Sequence, residues 1–89
     1  NSPHYLDTYG WALFKLKDYD KALEYLEKAL KISDNNSKGV ILEHLGDVYW
    51  MKNNTKKALK YWNESLKTDP DNASDTLNKK IKDQKYYEL

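Results

Sequence analysis

Glu43, His44 and Asp47 are the residues whose chemistry stands out first. An imidazole and a carboxylate three positions apart share one face of a helix, where the pair could present two ligands to a divalent metal or hold a proton between them. Two ligands do not complete a site, and a His on an amphipathic helix is ordinarily a surface residue. The chain has no Ser-His-Asp order, no Gly-rich phosphate loop and no His-x-x-x-His pair. Those absences leave no nucleophile, phosphate cradle or paired-His zinc face to argue from. We therefore expect neither catalysis nor a cofactor or metal from this stretch of chain.

A second set with possible chemistry is Lys56, Lys57, Lys60 and Lys67 with Tyr61, since single-stranded nucleic acid stacks on aromatics along basic grooves. Glu64 interrupts that set, and its spacing is that of the solvated face of a helix. The fifteen basic residues are balanced by fourteen acidic ones, a net charge of +1, and every one of the fifteen is Lys. Without Arg there is no planar fork for phosphates or guanine edges. Nucleic acid is not an expected partner. The Asn-x-Ser/Thr matches at Asn35, Asn53, Asn63 and Asn72 follow from the high Asn content and bear on function only in a glycosylating compartment.

The 89 residues suffice for one domain, with 39% hydrophobic and 33% charged residues, a composition that suits a small folded domain rather than a disordered one. Three Trp and eight Tyr supply its large apolar faces, and the lack of Cys excludes disulfides and thiolate metal sites. No apolar run approaches the roughly 20 residues that would cross a bilayer, so membrane insertion is not expected. No signal peptide is visible, and the compartment stays open. The chain opens on Asn-Ser-Pro-His-Tyr without an initiator Met, and we read it as a segment of a longer protein.

The elements that must position these residues are helices. Ser2-Pro3 is a helix start, with a capping hydroxyl and a Pro whose missing N–H is not needed in the first turn. The first helix runs to about Leu16, with Leu6, Tyr9, Leu13 and Leu16 as its apolar stripe. Gly10 costs about 1 kcal/mol relative to Ala within a helix, which implies close approach of a neighbour. Lys17-Asp18 makes a short turn with Asp18 as the next N-cap. The second helix then carries Tyr19, Ala22, Leu23, Leu26, Ala29 and Leu30 on one face, so the two helices pack antiparallel. Ser33 to Gly39 is a cluster of turn and cap formers.

A third helix, from about Lys38 to Met51, places Leu42, Leu45, Gly46 and Tyr49 where Leu6, Tyr9, Gly10 and Leu13 stood. After Asn53-Asn54-Thr55 a fourth carries Ala58, Leu59, Trp62, Ser65 and Leu66 and ends before Asp69-Pro70. From Ala73 the pattern thins to Leu77 and Ile81, with Lys79, Lys80, Lys82, Asp83 and Lys85 around them. This reads as a terminal helix with one face docked and the other in water, and Tyr86 to Leu89 is expected to fray.

A shift of 36 residues carries Gly10 onto Gly46 and Ala22 onto Ala58. The first unit reads Leu6-x2-Tyr9-Gly10-x2-Leu13, then Tyr19, Ala22-x3-Leu26 and Ala29. The second reads Leu42-x2-Leu45-Gly46-x2-Tyr49, then Ala58-x3-Trp62, Ser65 and Pro70. Over about Pro3 to Asn72 the chain resembles the tetratricopeptide repeat, whose helix-turn-helix unit has about 34 residues. It departs from that pattern at the leading Trp, replaced by Leu in both units, and at the closing Pro, replaced by Asp34 in the first. Lys80 falls where a third unit would need its small residue, so the last helix looks like a cap.

The resemblance implies an all-α fold: a right-handed superhelical stack of two antiparallel helix-turn-helix hairpins, residues 3–36 and 39–72, closed by a capping helix at 73–86. The opening residues look like the tail of a preceding repeat, so a longer array is expected, with self-association through the exposed N-terminal repeat face. Members of the family usually bind protein through a concave groove lined by the first helix of each unit. Carried over, this places Asp7, Trp11, Phe14 and Lys15 of the first unit, and Glu43, Asp47, Trp50 and Met51 of the second, on that surface. Aromatic rings beside carboxylates suit a peptide with basic residues and apolar anchors. Asp7 and Trp11 stand where the chaperone-tail-binding members carry Lys and Asn, which disfavours acidic C-terminal tails. The competing expectation is a structural spacer, with Trp11 and Trp50 covered by a neighbouring repeat or by the C-terminal helix.

Overall fold

In the computed structural model, which describes residues 2–86, five α-helices follow one another: α1 (Pro3–Lys15), α2 (Tyr19–Ile32), α3 (Asn35–Met51), α4 (Thr55–Thr68) and α5 (Asp75–Asp83), with a single 3₁₀ turn at Pro70–Asn72 before the last. No strand occurs among the described residues, and none of their helices is long and apolar enough to cross a membrane. Helix α1 packs on α2 and α3 on α4. The hairpins are joined mainly through α2 and α3, and α5 rests chiefly on α4. This is an α–α superhelix of two antiparallel hairpins with a fifth helix at its end.

Both hairpins turn by the same device. The chain leaves α1 through Lys17 in the left-handed region, φ 65°, and leaves α3 through Asn53 at φ 63°. In the first turn Lys17 N–H donates to Phe14 O and Asp18 N–H to Leu13 O; in the second Asn53 N–H donates to Trp50 O and Asn54 N–H to Tyr49 O. That double closure is a Schellman motif, which satisfies carbonyls a helix end would leave bare. Asp18 and Asn54 then act at once as N-caps, accepting from Lys21 N–H and Lys57 N–H. One residue ends one helix and starts the next, so each pair must fold back antiparallel.

The glycines set how closely the pairs approach. A Cβ on Gly10 would lie 2.8 Å from Leu26 Cγ, and one on Gly46 would lie 2.3 Å from Trp62 Cδ1. Leu26 and Trp62 are themselves related by the 36-residue shift, and each is fully buried. Ala22, Ala29 and Ala58 are buried beside them, the small residues that let backbones meet. Ser65 occupies the position equivalent to Ala29 and satisfies its buried hydroxyl by donating to Gly39 O at 2.6 Å.

The core runs through two clusters. Leu13, Phe14, Leu26, Ile41, Leu45 and Val48 join the hairpins, and Ala58, Trp62 and Leu77 seat α5 on the second unit. Tyr86 packs against both.

Four expectations are corrected. Helix α3 begins at Asn35, not near Lys38, because the Asp34 carboxylate accepts from Ser37 N–H and nucleates the turn earlier. Leu16 and Tyr9 do not join the α1 core stripe: they are 77% and 48% exposed, Leu16 because it is the C-cap, where the chain has left the helix. Lys80 is not on the solvated face of α5 but is buried. Tyr86, expected to fray, packs near Phe14 with ring centroids 6.0 Å apart, while residues 87–89 lie outside the described ones.

Candidate functional site

Helices α1 and α3 lie side by side, and α5 comes across from the end of the second hairpin. Between them is a cavity of about 260 Å³ walled by Trp11, Lys15, Glu43, His44, Asp47, Ser74, Lys80 and Tyr86. Four of the eight sequence-derived groove residues therefore share one space: Trp11, Lys15, Glu43 and Asp47. Phe14 and Met51 meet Lys15 and Tyr86 around a smaller neighbouring cavity of about 150 Å³. Asp7 and Trp50 line neither space.

The α1 side is an aromatic stack. Trp11 lies between Phe14, with ring centroids 4.6 Å apart at 13°, and His44 of α3, 4.1 Å away at 20°. Lys15 Nζ sits 5.2 Å from the Trp11 ring, within cation–π range. His44 is fixed from behind, its Nδ1 2.7 Å from Asp7 Oδ1. Asp7 thus orients the ring that Trp11 stacks on and links the first unit to the second.

The α3 side is acidic. Glu43 and Asp47 are four residues apart and face the same way. Lys80 Nζ donates to Glu43 Oε2 and Asp47 Oδ1, both at 2.8 Å, and Trp62 Nε1–H donates to the same Asp47 oxygen at 3.0 Å. Asp47 is 1% exposed. Burial pushes its carboxyl from 3.8 up to about 6, against the lowering charge and hydrogen bond of Lys80; Glu43 adds to the rise and His44 opposes it. Trp50 stacks on Trp62, with centroids 5.9 Å apart, and is a partly buried residue packed against the second core cluster.

His44, Lys80 and Tyr86 also line this cavity, and spacing did not single them out for the groove. A signal for Lys80 existed, since it lies three residues after Leu77 and so shares its docked face.

The comparisons with known proteins agree with this architecture. A sequence profile described as Tetratricopeptide repeat matches residues 5–71. The chain belongs to the tetratricopeptide repeat family. Repeats of this family are generally protein-interaction scaffolds and generally not enzymes. This repeat chain is 40% identical over 63 residues to human Tetratricopeptide repeat protein 21B, across 70% of its own length and 5% of that protein. It is 39% identical over 74 residues to Uncharacterized protein ycf37 of Guillardia theta, across 81% of its length and 40% of the relative's. The chain thus spans well under half of each of these relatives.

Proposed function

We propose that this chain is a non-catalytic scaffold that binds a peptide or partner segment in the groove between α1 and α3, the partner being basic with apolar anchors. The observation that carries this reading is the meeting of the Trp11 ring with the Glu43 and Asp47 carboxylates around one cavity. Aromatic faces supply contact area at small entropic cost, and carboxylates in a partly dry space select for cations.

Nitrogen-15 NMR of the full chain against pools of basic and acidic peptides tests it. Shifts at the Trp11 indole with basic peptides are expected. No movement of that indole with any pool would reject the groove as a binding surface.

The alternative is a structural spacer, and one observation favours it: Lys80 and Tyr86 of the same chain already reach into the groove. Self-association through the N-terminal face is a separate part of the proposal. Tyr5 is 64% exposed and Tyr9 48%, whereas their counterparts one repeat later, Ile41 and Leu45, are 1% and 0% exposed in the core shared with α2. Tyr5, Leu6, Tyr9 and Tyr25 form an open aromatic hollow on that face, which a second copy of the chain would cover.

A further inference from the structure

Helix α5 buries two side chains, Leu77 and Lys80, three residues apart. Leu77 packs in the apolar cluster of Ala58 and Trp62. Lys80 is 3% exposed, its ammonium bonded to Glu43 and Asp47 at 2.8 Å and lying 5.8 Å from the Trp62 ring and 5.2 Å from that of Tyr86. An ammonium group is strongly hydrated and leaves water only where opposite charge and polarisable rings replace its shell. Here Glu43, Asp47 and Trp62 of the second hairpin provide most of that replacement, both carboxylates included, and Tyr86, just beyond α5, adds the other ring. Helix α5 is nine residues long, too short to persist without docking. The groove cavity opens beside Lys80 and Asp47.

We propose that Glu43 and Asp47 form a lysine-binding subsite that Lys80 fills from within, and that the partner is a helical segment bearing a Leu-x-x-Lys pair that takes the place of α5. This rests on the groove reading above and names the partner's chemistry. Because residues 69–74 tether α5 beside its seat, a partner competes with an intramolecular ligand whose effective concentration is on the order of millimolar. Removing the internal ammonium therefore strengthens binding in trans.

The probe is a synthetic peptide spanning residues 73–86, compared with the same peptide carrying norleucine in place of Lys80. Both are titrated into the full chain and its Lys80→Ala variant, with the Trp62 indole N–H resonance as readout because that group donates to Asp47. The lysine peptide is expected to bind Lys80→Ala at least tenfold more tightly than the unsubstituted chain, and the norleucine peptide to lose that gain. Equal affinity of the two peptides for Lys80→Ala, or equal affinity of the lysine peptide for both chains, overturns the subsite. If circular dichroism shows Lys80→Ala unfolded, Lys80→Gln carries the same comparison. Basic peptides that shift Trp11 with no preference for lysine over norleucine would remove the subsite and leave the groove reading standing. Silence at both Trp11 and Trp62 in every chain would remove both.

Discussion

Gly46 and Trp62 meet so closely that a methyl group on the glycine would lie 2.3 Å from the indole Cδ1 and 2.5 Å from Nε1. The ring cannot swing aside without breaking its hydrogen bond to Asp47, so the contact is rigid on both sides. Gly46→Ala should therefore destabilise the chain by about 1–3 kcal/mol despite the helix propensity it gains. Gly10→Ala meets Leu26 at a longer 2.8 Å from Cγ, on a side chain that has no hydrogen bond to break, and should cost less. Urea denaturation of the two variants checks the order. Equal midpoints would contradict the packing.

The two hairpin turns allow the opposite kind of change. Lys17 holds a left-handed backbone at φ 65°, which costs a residue with a Cβ more than glycine. Lys17→Gly should raise stability by about 0.5–1 kcal/mol. Asn53→Gly should gain less, because Asn tolerates that region. Thermal melts of both variants give the comparison, and a lower melting temperature for Lys17→Gly would count against it.

Asp47 gives stability a pH dependence of known sign. Its folded pKa is raised to about 6 from 3.8, so between those values the folded state holds a proton that the unfolded state has released. Its contribution to stability is then greatest below about 3.8 and is lost as pH rises through about 6. Asp47→Asn abolishes this titration while its carbonyl oxygen can still accept from Trp62, and Lys80 keeps Glu43. The variant should gain on the unsubstituted chain as pH rises from 4 to 7. A stability difference that stays flat across that range, measured by urea unfolding, would refute the assignment.

Lys80→Met tests the same cluster from the other side. It keeps a long apolar stem but leaves Glu43 and Asp47 facing each other without a cation, which for a buried pair costs about 3–5 kcal/mol. Part of that loss should be recovered at pH 5, where Asp47 can take up a proton. A variant as stable as the parent at pH 7 would show that the ion pair contributes nothing.

Exposure of the N-terminal face predicts weak association. Tyr9→Lys should lower the apparent mass seen at high concentration by sedimentation equilibrium, because it places a charge in the hollow formed with Tyr5 and Tyr25. An unchanged mass would exclude this face as the contact.

Much of the architecture was legible in the chain itself. Gly10 and Gly46, Ala22 and Ala58, and the matched turns at Lys17-Asp18 and Asn53-Asn54 recur at one period, and each acts over a few neighbouring residues. Helix faces, caps and antiparallel reversal are local consequences of spacing, so sequence alone determined the hairpins. The resemblance to the repeat family put eight residues on one surface, and Trp11, Lys15, Glu43 and Asp47 of them line one cavity. The tertiary structure decided what covers that surface. Lys80 reads as one of several solvated lysines until α5 docks and brings it to Asp47, 33 residues away in the chain. His44 reads as a surface residue until α1 sets Asp7 and Trp11 against it. Periodicity says which side chains share a face, whereas burial and ionisation depend on which distant element closes over that face, and no local spacing carries that information.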